Sequence, residues 1–161
     1  MFGLWRKIWR TGRVAEPAPA RPYTHQSPGS RVLAGSVQVR HVDAGSCNGC
    51  EVEIGSAFGP VYDADRYGAR LVASPRHADA LLVTGPVTRN MAEPLRRTFE
   101  AVPAPKVVVA VGDCARNCGV FAGAYGVAGA VRDVVPVDVE IEGCPPRPEQ
   151  IVAALRGLTG R

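Results

Sequence analysis

Three apolar, strand-like stretches of this chain each run directly into a short loop that carries glycine and cysteine. Residues 37–42 (VQVRHV) lead into GSCNGC at 45–50. The run KVVVAV at 106–111 leads into GDCA at 112–115, and VVPVDVEI at 134–141 leads into GCPP at 143–146. Four thiols, Cys47, Cys50, Cys114 and Cys144, therefore follow strand ends that lie far apart in sequence. Only a fold that brings those strand ends to one edge can gather them.

The rest of the chain supports such a fold. Residues 80–84 read as another strand and residues 71–73 as a short one. Helical patterns begin at Glu51, span 91–101 with Leu95 and Phe99 at i, i+4, and run from Pro148 to about residue 158, proline being favoured in a first turn. The β-branched run at 106–111 suits a strand buried on both faces. Strands alternating with helices predict an α/β fold of three layers, a mainly parallel sheet covered on both sides. Ligands of such sheets bind outside the carboxyl ends of the strands. All four thiols belong at that edge, and the TGPVT loop at 84–88 should reach it too.

Charge divides the chain into parts. Residues 1–40 hold seven Arg or Lys and one acid, a net +6, whereas the remainder holds twelve basic and fourteen acidic residues, a net −2. The basic character thus belongs to the start, and a nucleic-acid-binding face on the body is not expected. Residues 1–13 (MFGLWRKIWRTGR) have the periodicity of a basic amphipathic helix with two tryptophans, suited to a membrane surface or a groove on a membrane-embedded partner. Residues 14–35, with Pro17, Pro19, Pro22 and Pro28, read as an extended linker, and residues 36–161 as the α/β domain. No segment approaches the roughly 18 to 20 apolar residues of a membrane span. The basic start is not followed by the apolar region and cleavage site of a secretory signal, so a reducing compartment is expected.

In such a compartment, spaced cysteines read as ligands or catalytic thiols rather than disulfides. Thiolates bind iron–sulfur clusters, zinc and copper(I). Structural zinc usually takes two tight ligand pairs, and only Cys47 and Cys50 form one here. One pair plus scattered cysteines, the last followed by proline, suits an iron–sulfur cluster better, with electron transfer as its chemistry; a zinc-stabilised binding module is the alternative. Gly45, Gly49, Gly112 and Gly143 would let backbone approach the group. Cys118 is a fifth thiol four residues past Cys114, and Cys114, which follows the strand directly, is the preferred ligand. Glu51 could relay protons beside the site or favour a helix N-terminus. His41 is read as a packing or capping group and His77 as part of a surface turn. No Ser/His/Asp or paired-carboxylate arrangement stands out.

At CNGCE (47–51), SPRHADALLVTGPVT (74–88), VGDCA (111–115) and VPVDVEIEGCPPRPE (135–149) the chain resembles the small-subunit family shared by [NiFe]-hydrogenases and the 20 kDa (B-type) subunit of respiratory complex I. The resemblance covers about residues 36–158. It implies a flavodoxin-like fold and one [4Fe–4S] cluster on Cys47, Cys50, Cys114 and Cys144. It also implies a large-subunit partner with a Ni–Fe centre or a quinone pocket, and a ferredoxin-like iron–sulfur subunit. Complex I members typically carry two adjacent cysteines at the first position. The two-residue gap between Cys47 and Cys50 is similar to the membrane-bound, energy-converting group 4 hydrogenases and formate hydrogenlyase. That likeness implies an electron-transfer subunit, not catalytic alone, in the peripheral arm on the cytoplasmic side of the cell membrane. A complex I-type quinone reductase, or a related complex without Ni–Fe, is the alternative. Relatives mostly show a small residue at the position of Cys118.

Overall fold

The computed structural model describes residues 2–12, 33 and 35–161. The proline-rich stretch of residues 14–35 lies outside the described residues, apart from Leu33 and Gly35. Leu33 is buried in the core, and the Gly35 N–H donates to the Thr159 carbonyl at 2.6 Å. The basic start forms α1 (Phe2–Thr11).

Five strands make one wholly parallel sheet: β1 (Val37–Asp43), β2 (Ala69–Leu71), β3 (Ala80–Thr84), β5 (Val107–Val111) and β7 (Val139–Ile141). Their spatial order is β2-β1-β3-β5-β7. Counting only these five in chain order gives 2-1-3-4-5, the flavodoxin-like doubly wound order, whose switch point lies between β1 and β3. A second, antiparallel pair joins β4 (Val87–Thr88) to β6 (Val127–Gly129).

Alternation along the strands divides the core in two. Val37 and Val39 of β1, Leu82 of β3 and Val109 of β5 face one helical layer. That layer holds Ile54 of α2 (Gly49–Ala57) and Ile151 and Leu155 of α5 (Pro148–Thr159). Leu81, Val83 and Val108 face the other, which contains Leu95 of α3 (Arg89–Ala101) with Val131 and Val135. Strands β3 and β5 are buried at every position, as a run without polar alternation requires. The helices follow their apolar spacing. α2 buries Cys50, Ile54 and Ala57, and α5 buries Ile151, Leu155 and Leu158. α5 opens on Pro148 and closes on Gly160 at φ 74, the left-handed residue of a helix end.

Two strands differ from the sequence expectation. The short one begins at Ala69 rather than residue 71, because Gly68 turns left-handed at φ 84 and its carbonyl accepts the Val37 N–H, which sets the β1 register. The last shrinks to residues 139–141, because Pro136 has no N–H to donate to a ladder and the preceding residues, Val131–Asp133, wind into a 3₁₀ turn.

Candidate metal centre

Every strand of the sheet points the same way, so the loops after β1, β3, β5 and β7 share one edge. A cavity of about 120 Å³ lies there. It is lined by Cys47 and Cys50 after β1, Gly85 after β3, Cys114 after β5, and Gly143 and Cys144 after β7. Cys50 sits in the first turn of α2, and Cys114 in the short helix α4 (Asp113–Asn117). The structure thus brings together the four thiols singled out above. Cys118 does not join them. It stands at φ 66 after α4 and lines a separate, open depression with Arg89 and Tyr125.

Cys50 and Cys114 are buried, while Cys47 and Cys144 are exposed. Burial pushes the Cys50 thiol up to about 12, and the neighbouring Glu51 charge and the other three thiols add to the rise. Cys114 is likewise raised, first by burial and then by Cys144 and Cys47. The charges of the other thiols therefore bear on Cys50 and Cys114, and a cationic group among them would relieve that repulsion. No three His, Cys, Asp or Glu side chains among the described residues converge as ligands of a single metal ion. Four sulfurs around one cavity form a donor set that soft metals favour.

Behind the cavity, one glycine lies directly against a thiol. Gly112, between β5 and α4, has φ 87 and ψ 163, a region essentially reserved for glycine. A Cβ there would stand 2.7 Å from Cys50 Sγ and 3.2 Å from the Gly143 carbonyl oxygen.

Hydrogen bonds fix the loops to one another. The Gly112 N–H donates to the Ile141 carbonyl (2.8 Å) and the Asp113 N–H to the Gly143 carbonyl (2.9 Å). Asp113 Oδ1 accepts from the Gly143 N–H at 3.0 Å. Arg116 then joins the two cysteine loops. Its guanidinium lies 3.4 Å from Asp113, 3.1 Å from Glu140 and 2.8 Å from Glu142. Arg132 holds the other oxygen of Glu140 at 2.6 Å.

A second polar cluster adjoins Cys50. Glu51 accepts from Ser46 Oγ at 2.6 Å and from the buried Thr84 hydroxyl. His41 Nε2 lies 3.0 Å from Thr84 Oγ1 and 3.4 Å from Glu51 Oε1. Asp43 orders the loop by accepting from the Gly45 and Ser46 N–H groups, each at 2.8 Å. Glu51 does occupy the first turn of a helix, and it is also the hub of side chains from two strands and a loop. Sequence reading treated His41 as a packing or capping group, placed Thr84 at a strand end and in the loop that reaches the edge without giving it a partner, and did not single out Ser46. The available signal was register: β1 pairs with β3 so that Asp43 opposes Thr84, which puts His41, Asp43 and Thr84 on one face at the carboxyl edge. His77 is exposed in a 3₁₀ turn.

Comparison with known proteins adds four likenesses. The family described as NADH ubiquinone oxidoreductase, 20 Kd subunit, matches residues 47–158. The chain is 48% identical over 122 residues to a probable membrane-bound hydrogenase subunit, mbhJ, of Pyrococcus furiosus, covering 76% of this chain and 73% of that protein. It is 49% identical over 113 residues to formate hydrogenlyase subunit 7 of Escherichia coli, covering 70% of this chain but 44% of that protein. Among solved structures, a chain of the membrane-bound sulfane sulfur reductase, an archaeal respiratory membrane complex, superposes with a TM-score of 0.69 at 33% identity. The superposition covers 80% of this chain and 71% of that one.

Proposed function

The chain belongs to the NADH ubiquinone oxidoreductase 20 kDa subunit family, which takes in subunits of membrane-bound hydrogenases, and from that membership we propose that it is an electron-transfer subunit of a membrane-associated oxidoreductase complex, holding one [4Fe–4S] cluster on Cys47, Cys50, Cys114 and Cys144. The observation that carries the reading is the convergence of these four thiols, from the loops after three strands, on one cavity at the carboxyl edge of the sheet.

Bound there, the cluster would supply one-electron transfer. The residues of the chain do the rest. Gly112 keeps side-chain atoms out of the space beside Cys50. Arg116 and Asp113 hold the Cys114 and Cys144 loops at a fixed separation, which limits their rearrangement when the charge of the site changes. Glu51 keeps a carboxylate next to Cys50, and negative charge there disfavours an added electron. The exposed Cys47 and Cys144 leave one side of the site open. A large subunit closing that side would exclude water and complete the electron path, with a ferredoxin-like subunit as the other neighbour.

The gap between Cys47 and Cys50 and the likeness to hydrogenase subunits favour a group 4 [NiFe]-hydrogenase-like complex in the peripheral arm on the cytoplasmic side of the membrane. Similarity to a chain of the sulfane sulfur reductase favours a second reading, a related respiratory complex without nickel. Two CxxC pairs in the large subunit would decide for nickel, and their loss for the second reading. The cluster itself is tested on anaerobically purified complex by iron and sulfide analysis and by EPR of the reduced sample. Iron and sulfide in equal amounts with a cubane signal are expected, lost in Cys114→Ser and kept in Cys118→Ser. Stoichiometric zinc without iron would overturn the proposal, and the reverse behaviour of the two variants would move the ligand to Cys118.

A further inference from the structure

Helix α1 carries a surface of a kind found nowhere else among the described residues of the chain. At 3.6 residues per turn, Leu4, Trp5, Ile8 and Trp9 fall within an arc of about 140°, while Arg6, Lys7 and Arg10 fall within about 100° on the other side. The apolar residues are open to solvent: Leu4 is 65% exposed, Trp5 67%, Ile8 54% and Trp9 88%. The helix contains no acid, and the first acidic residue of the chain is Glu16. The family match begins only at residue 47, so membership does not account for this element.

We infer that α1 lies flat on an anionic phospholipid bilayer, its tryptophan face at the headgroup boundary and its cations against lipid phosphates. The ten residues of α1 do not themselves span a bilayer. Ten residues make about 15 Å of helix, half of a hydrocarbon core of about 30 Å. Composition selects lipid over a protein groove. Two tryptophans suit the wet, amphipathic headgroup zone of a bilayer. Three cations with no acid complement a surface of one sign of charge and nothing more specific. The inference goes beyond the electron-transfer reading and does not depend on a cluster being bound.

Trp5 and Trp9 are the only tryptophans of the chain, so intrinsic fluorescence reports on α1 alone. The experiment titrates the full-length chain with vesicles of phosphatidylcholine, with and without phosphatidylglycerol, following emission and co-sedimentation. Expected is a blue shift with co-sedimentation on the anionic vesicles, with a preference over neutral ones on the order of a hundredfold that shrinks as salt rises. Reversing Arg6, Lys7 and Arg10 to glutamate should abolish the preference. Trp5→Ala with Trp9→Ala should abolish co-sedimentation while leaving the melting of the body unchanged. Equal binding to both vesicle types, insensitive to salt, would overturn the assignment of an anionic surface. Absence of binding to either, with a blue shift on adding detergent-solubilised membrane subunits of the complex, would overturn lipid in favour of a protein groove.

Discussion

Substituting Gly112 by alanine tests whether the cavity wall is as tight as its geometry implies. The position holds φ 87 and ψ 163, where a residue with a side chain costs about 1–3 kcal/mol in backbone strain. The new Cβ would meet Cys50 Sγ at 2.7 Å, against an ordinary contact of about 3.5–4.0 Å. Cys50 is only 9% exposed and sits on a helix whose next turns are locked in the core, so overpacking adds about 1–3 kcal/mol. The middle of the two ranges sums to about 4 kcal/mol, which lowers the Tm of a domain of this size by roughly 8–16 °C. Gly123→Ala is the control. It also has a positive φ, 77°, but its Cβ would meet nothing within 4 Å, so it carries the left-handed penalty alone, about 1–2 kcal/mol. Thermal melts followed by circular dichroism compare the two variants, and iron content per chain is measured on the same samples. Gly112→Ala should melt well below Gly123→Ala and lose iron. Equal melting temperatures with full iron retention would refute the claim that Cys50 has no room to retreat.

The remaining predictions concern the two polar clusters. Burial holds the His41 imidazole below its ordinary 6.5, against the opposing pull of the Glu51 and Asp43 charges. The unfolded chain therefore takes up this proton first as pH falls, so the stability associated with neutral His41 is present above about pH 6.5 and declines below it. Urea midpoints should fall from about pH 7.5 to pH 5.5 with a shallower slope in His41→Gln, and identical slopes would count against this account. Arg116→Gln leaves Asp113 and Glu140 without their shared cation; with the guanidinium 22% exposed, a loss of about 2 kcal/mol is expected in urea unfolding. Arg116→Lys should recover only part of it, since one ammonium cannot reach carboxylates on two elements in the way a planar fork does; a full recovery would mean that charge alone matters there.

The parts of this fold that could be read in advance were those where one local rule decided. The run at Val107–Val111 has no polar alternation, and it is a strand buried on both faces. Pro148 opens a helix, as its fixed φ favours. Thiols expected at one edge do line one cavity there, because parallel strands leave no other arrangement for loops at their carboxyl ends. What failed were boundaries fixed by neighbours. The start of β2 depends on which carbonyl accepts the Val37 N–H, and nothing within the local run GARLVA (68–73) encodes that pairing. The antiparallel pair β4–β6 unites two- and three-residue segments nearly forty positions apart, too short for any periodicity to show.

The Glu51 cluster was illegible for a subtler reason. Two facing rows change character along the sheet: Val37, Val39, His41 and Asp43 on β1, and Ala80, Leu82 and Thr84 on β3. Both begin apolar, under α5 and the C-terminal half of α2, and both turn polar at the carboxyl edge, where Glu51 enters from the first turn of α2. Taken singly, each strand shows an unremarkable polar end, the normal sign of a strand reaching solvent. Only the parallel register, which sets Asp43 opposite Thr84, converts two frayed ends into one half-buried hydrogen-bonded group beside Cys50. The same register delivers Cys47 and Cys50 to the switch point between β1 and β3. One alignment of two strands therefore positions both the thiol pair and the carboxylate that adjoins it, and a one-residue slip of β1 would turn His41 and Asp43 to the opposite helical layer, away from Thr84, and dismantle both.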